Sequence, residues 1–222
     1  MPGLRPIHRL DRQRHISRTT SHHAGEAAIA AVEHVIDNPI SGERIVIHQT
    51  AVETGGTLLA WELRLAPGGR VPSSHAHPVQ EERFTVVEGR MRFRVAGRPI
   101  IVGPGEMVTV PPGTVHSFAN AGGMPARVLV TTTPALEMEA LLETAAAMAR
   151  EQRSAGRSLP RLVDLALFMT DFEPEVRAPY VPAALVRLVM RSLARTARWR
   201  RIDSRYRAAR VGAGGDRRVA SG

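Results

Sequence analysis

The sequence predicts a mainly β protein: one antiparallel sandwich or barrel, followed by a helical extension and preceded by an irregular arm. Three observations carry this. Between Asn38 and Thr133, short runs rich in β-branched and aromatic residues follow one another at close spacing. Clusters of turn chemistry, ETGG, APGG, AGRP, GPG, PPG and NAGGMP, separate them. After Thr133 the apolar residues switch to helical spacing. Strands joined by such short connections pair antiparallel, because a parallel pair needs a long crossover.

Residues 1–36 show no sustained period and read as a disordered basic arm, apart from a short helical pattern in GEAAIAAVEHV. The arm carries His8, His15, His22 and His23, which read as solvated tail residues. Residues 37–133 form the β domain, with strands at ERIVIHQ, TLLAWELRL, ERFTVVE, RMRFRV, RPIIV, EMVTV, HSFAN and ARVLVTT. RMRFRVAGRPIIV shows the pattern best. Met91, Phe93 and Val95 alternate with Arg90, Arg92 and Arg94, so one face is core and the other meets water. The AGRP turn then closes a hairpin.

Residues 134–210 read as helices. PALEMEALLETAAAMAREQ places Pro134 at a first helical position, with Leu136, Met138, Leu141, Leu142 and Ala145 at helical spacing, and Gly156 ends it. SLPRLVDLALFMTDF is a second helix and EPEVRAP a proline-bounded connector. A third helix runs from Pro182 to about Ile202, and residues 211–222 form a disordered tail.

Composition narrows the chemistry. The chain has 222 residues, enough for one domain with a core and an extension. It has no cysteine, which excludes disulfides, thiolate nucleophiles and cysteine zinc sites, so any metal must be held by histidine and carboxylate. All 30 basic residues are arginine, and the net charge is +9. That charge sits at the ends: Arg187 to Arg218 holds 11 arginines against two aspartates, whereas residues 25–186 hold 14 arginines against 18 acids. No apolar run reaches the length of about 18 residues that a spanning helix needs. The start lacks the apolar middle of a secretory signal, so a cytoplasmic location is the expectation.

HAHPVQEERFTVVEG, residues 75–89, carries the chemistry. On a strand, His75 and His77 point to the same side and form a chelating pair. Glu82 shares a face with Phe84 and Val86, while Glu81 falls on the other face with Arg83. A carboxylate among apolar side chains is costly without a nearby cation. In GEMVTVPPGTVHSFAN, the PPG turn starts a strand that can bring His116 into the same interior, on the face of Phe118. His34 and His48 read as satisfied polar residues of a β-rich core.

These two stretches resemble the two motifs of the cupin superfamily. The first pattern, Gly, five residues, His-x-His, three or four residues, Glu, six residues, Gly, falls on Gly69, His75, His77, Glu82 and Gly89. The second, Gly, five residues, Pro-x-Gly, two residues, His, three residues, Asn, falls on Gly105, Pro111, Gly113, His116 and Asn120. Within the superfamily, NPISGER at residues 38–44 is similar to the entry of single-domain, quercetin-dioxygenase-like (Cupin_2-type) proteins.

The resemblance implies a single jelly-roll β-barrel binding one divalent transition metal, Fe, Mn, Ni, Cu or Zn, through His75, His77, Glu82 and His116. Histidine-rich ligation of this kind disfavours calcium and magnesium, which take oxygen shells. The implied function is that of a metal-dependent, dioxygenase-like enzyme with Glu82 also as a base. The alternatives are a non-redox isomerase or cyclase, and a non-catalytic small-molecule binder with a structural metal. Phe84, Val86, Met91, Phe93, Met107 and Phe118 are the candidate pocket lining, suited to a small hydrophobic or aromatic substrate.

In PAALVRLVMRSLARTARWRR, Leu185, Leu188, Val189, Ser192, Thr196 and Trp199 lie on one side, and Arg187, Arg191, Arg195 and Arg198 form a basic stripe. The first expectation is a helix packed on the barrel or on a second subunit, which would make a homodimer. A membrane surface comes second. Nucleic acid comes last, because Trp199 and Tyr206 alone offer little for base stacking.

Overall fold

The computed structural model describes residues 34–71, 73–179, 183–201, 203 and 206. Nine strands come first: β1 (His34–Asn38), β2 (Glu43–Gln49), β3 (Leu59–Leu65), β4 (Glu81–Glu88), β5 (Met91–Val95), β6 (Arg98–Val102), β7 (Met107–Val110), β8 (His116–Asn120) and β9 (Ala126–Thr133). Helices α1 (Met138–Ser154), α2 (Leu162–Asp171) and α3 (Ala183–Trp199) follow. The strands form two antiparallel sheets, ordered β1-β2-β3-β9-β4-β7 and β6-β5-β8. Among the described residues the two sheets face each other as the antiparallel sandwich that the sequence predicts, and they are not joined into a ring.

Alternation puts the core between the sheets. Along β4, Glu82, Phe84 and Val86 point inward, and along β9 Ala126, Val128, Val130 and Thr132 do the same. Register aligns these rows, pairing Phe84 with Val130 and Val86 with Val128. From the facing sheet come Met91 and Phe93, both fully buried, and Phe118. Phe84, Phe93 and Phe118 form an aromatic cluster with ring centroids 5.1 to 6.0 Å apart.

Turn chemistry fixes the register. Asn38 Oδ1 accepts the Ile40 and Ser41 N–H groups at 3.1 and 3.3 Å, turning the chain into β2. Ala96 and Gly97, with φ of 48° and 79°, make the two-residue turn between β5 and β6, whose twist matches that of the strands. Gly89 has φ of 78°, and a Cβ there would lie 2.8 Å from Ala126 Cα, so only glycine fits.

Several elements differ from expectation. β1 takes in His34, Val35 and Ile36, which the sequence pattern places in the arm; residues 1–33 and 207–222 lie outside the described residues. β1 is held by α1 as well as by β2: His34 Nε2 lies 2.8 Å from Glu143 and Nδ1 3.4 Å from Glu139. α1 begins at Met138 and not at Pro134, because Leu136 has φ of 46° and the Ala135 N–H donates to Gly56 O at 3.1 Å.

The packed face of α3 is neither of the two rows that its sequence pattern shows. The helix packs through Ala194 and Ala197 against Leu167 of α2 and Tyr206. Arg187 and Arg191 pair with Glu173, and Arg198 pairs with Asp171. Arg187, Arg191 and Arg198 therefore border α2, while Leu188, Val189, Arg195 and Trp199 face outward. Small residues permit close helix approach, and that together with three ion pairs outweighs burial of the larger apolar side chains.

Candidate metal centre

The four sequence-predicted ligands meet at one end of the sandwich. Ligand atoms of His75, His77, Glu82 and His116 all lie within 4.8 Å of one another. His75 and His116 face each other across a β-bridge, with reciprocal N–H to O bonds of 3.0 and 2.8 Å. The PPG turn adds a third support, since the Gly113 N–H donates to His77 O at 2.7 Å. Glu82 enters from β4 at the parity expected of it, whereas Glu81 turns outward and accepts from Arg83 at 2.8 Å.

Hydrogen bonding defines which imidazole nitrogen is free. Nδ1 of His75 lies 3.1 Å from Ser73 O, that of His77 2.6 Å from Glu175 O, and that of His116 3.2 Å from Thr114 O. A carbonyl oxygen can only accept, so each Nδ1 carries the proton and each neutral ring presents an Nε2 lone pair to the interior. Nε2 of His77 and of His116 are buried without a hydrogen-bond partner, at 3.3 and 3.1 Å from Glu82 Oε2. Lone pairs aimed at a carboxylate repel unless a cation sits among them, so this donor set fits a divalent transition metal.

For His75 the electrostatics agree. Burial pushes the His75 imidazole down to about 3, helped by the His116 and His77 rings, so it is neutral and able to ligate. Burial pushes the Glu82 carboxyl up, but the neighbouring His77 and His116 imidazoles outweigh it and hold Glu82 well below the usual carboxylate range. His77 behaves differently: burial lowers it, but Glu82 and the Glu175 carbonyl raise it overall, so a metal at this ring would compete with a proton. Three of the ligands are buried and His75 is half-buried, which marks the open side of the centre.

The proposed pocket residues separate into two groups. Phe84, Val86, Met91, Phe93 and Phe118 belong to the packed core and do not line an open cavity, and Phe84 lies 6.3 Å from His116 between ring centroids. Met107 is 58% exposed and is corrected: it pairs with Thr85 on the outer face of the sheet, and its neighbours Val108 and Val110 are the inward residues of β7. Sequence reasoning missed Thr132 and Trp61, linked to Glu82 in a chain in which the indole N–H reaches Thr132 Oγ1 and Thr132 reaches Glu82 Oε1, each at 3.4 Å. Thr132 was discoverable as a polar residue at the inward parity of Val128 and Val130. It also missed the segment after α2, where Arg177 and Ala76 exchange backbone hydrogen bonds of 2.9 and 3.0 Å and Glu175 O anchors His77. Asn120 is a loop staple, donating to Leu65, Ala66 and Met124 carbonyls.

The Cupin_2 family, described as the cupin domain, matches residues 61–132. The tetracenomycin polyketide synthase protein TcmJ of Streptomyces glaucescens is 28% identical over 123 residues, covering 52% of this chain and 81% of that protein. Germin-like protein subfamily T member 3 of Arabidopsis thaliana is 31% identical over 84 residues, 36% of this chain and 37% of that protein. Among solved structures, KdgF from a Halomonas species shares 18% identity with a TM-score of 0.42, covering 47% of this chain and 92% of its own. The strands that position His75, His77, Glu82 and His116 thus lie within the stretch that matches the cupin domain.

Proposed function

We propose that this chain is a metal-dependent, dioxygenase-like enzyme acting on a small phenolic or enolisable molecule at the three-histidine, one-glutamate centre. The observation that supports it is the convergence of inward Nε2 lone pairs on the Glu82 carboxylate, two of them buried without a hydrogen-bond partner. A divalent transition metal bound there supplies Lewis acidity and, for Fe, Mn or Cu, electron transfer.

The chain's own residues do the rest. Glu82 is the carboxylate of the centre, and because its two imidazole neighbours hold it below the usual carboxylate range, it accepts a proton from a substrate hydroxyl only when it swings away from them. The packed Phe84, Phe93 and Phe118 cluster keeps water from the buried side of the ligands, and half-buried His75 faces the side from which substrate enters. The likeness to a polyketide synthase protein favours a polyketide-like aromatic substrate.

Elemental analysis of the untagged protein, beside a His75→Ala, His116→Ala double variant, tests the centre. About one transition metal per chain in the parent and near none in the variant is the expected result. Near-zero metal in both after Fe, Mn, Ni, Cu and Zn are offered would overturn it. Oxygen uptake by the loaded protein with a panel of polyphenols and enolisable ketones tests the chemistry. Turnover without oxygen uptake would replace oxygenation by isomerisation or cyclisation, and binding without turnover would make the protein a small-molecule binder.

A further inference from the structure

Among the described residues nothing packs on the outward face of α3. Leu188, Ser192, Arg195 and Trp199, spaced by four, three and four residues, form one stripe, with Val189 and Thr196 beside it, and all six are exposed. Leu188 is 64% and Trp199 79% exposed, unusual values for side chains of that size on an ordered helix. On the α2 side the stripe is flanked by Arg187, Arg191 and Arg198, which remain about half exposed while paired with Glu173 and Asp171. Arg195, Arg200 and Arg201 have no ion pair among the described residues.

We propose that this face of α3 docks the protein on an anionic lipid surface, lying parallel to it. The charge distribution selects this occupant: the segment from Arg187 to Arg218 carries 11 arginines and two aspartates, whereas residues 25–186 are net acidic. An apolar stripe ending in tryptophan, bordered by cations, matches the layering of a bilayer interface, where apolar groups enter the headgroup boundary and arginines meet lipid phosphates. No helix among the described residues is long and apolar enough to span a membrane, so the helix rests on the surface. The outward tryptophan favours a lipid interface over a nucleic acid, because it stands alone among aliphatic neighbours and not in a row of stacking rings.

Flotation of the full-length protein with vesicles of phosphatidylcholine containing phosphatidylglycerol, against pure phosphatidylcholine, tests the proposal. Trp199 supplies a second readout: the only other tryptophan, Trp61, is buried in the sandwich, so a blue shift of emission on vesicle addition reports α3. The expected result is binding to the anionic vesicles at low salt with a blue shift. Leu188→Glu should weaken binding on the order of tenfold, with circular dichroism and metal content unchanged. Failure to bind anionic vesicles at low salt overturns the proposal. So does binding that Leu188→Glu leaves intact, which would mean adsorption through arginines alone. Sedimentation showing a dimer that Leu188→Glu dissociates, without vesicle binding, assigns the face to a second copy, and tight duplex DNA binding without vesicle binding assigns it to nucleic acid.

Discussion

The sandwich and the helical extension solve the problem of packing in opposite ways. The sandwich interior is built from large side chains brought together over long sequence distances, such as Phe84, Phe93 and Phe118, with polar ligands confined to one end. The contact of α3 with α2 is built from alanines, Ala194 and Ala197, against Leu167, with ion pairs at its border. Large aromatic residues remove much apolar area from water and tolerate little change, whereas an alanine contact gains less area and depends on closeness. The first region is suited to holding a fixed coordination geometry, the second to presenting a surface.

Substitutions can sharpen that contrast. Phe84→Ala should have the largest effect, about 3–5 kcal/mol in urea unfolding, because it opens a cavity at the centre of the aromatic cluster. It should also loosen metal binding, since Glu82 precedes Phe84 by one strand repeat. Ala194→Leu should cost less, about 1–3 kcal/mol, by overpacking. Its signature is local: hydrogen exchange should rise in residues 162–199 while metal content stays at the parent level. Equal exchange in the strands would show that the two regions unfold as one.

The smallest effect concerns the contact between β1 and α1. Hydrogen bonds to Glu139 and Glu143 raise His34 to about 9, against an unfolded value near 6.5. A raised pKa stabilises the fold fully below the unfolded value, and that contribution fades as pH rises through the folded one. The difference in melting temperature between the parent and His34→Gln should therefore be greatest below about pH 6.5 and shrink towards pH 9. Solvent reaches His34, so the effect is modest. A difference that grows with pH would contradict the pairing.

What could be read from the sequence follows from how local each signal is. Alternation within one strand was sufficient to put Glu82 inward and Glu81 outward, and the turn residues were sufficient to place the β5–β6 hairpin. The same parity, counted along β7, puts Met107 outside, but a four-residue strand between two turns offers no internal reference for which row is buried. β1 escaped because it follows an irregular stretch, and its pairing depends on β2 and α1 more than on its own pattern. For α3 the amphipathic period was legible and the packed face was not. Periodicity shows that a helix has two faces, but it does not say which one meets the protein when alanines and ion pairs compete with leucine and tryptophan. The anchoring of His77 by Glu175 joins residues 98 apart in sequence and leaves no local trace.

That anchor bears on how the chain works as a thermodynamic unit. The matched cupin domain stops at residue 132, yet one imidazole of the centre is oriented by a carbonyl from the stretch between α2 and α3, locked to Ala76 by paired backbone bonds. Linkage is reciprocal: whatever factor in metal affinity comes from docking this stretch, metal binding returns to the docking equilibrium. Metal occupancy and attachment of the extension therefore report on each other. A chelator should loosen residues 172–177 before it disturbs the sheets, and a protein trimmed to its recognisable domain should hold its metal less tightly than the whole chain.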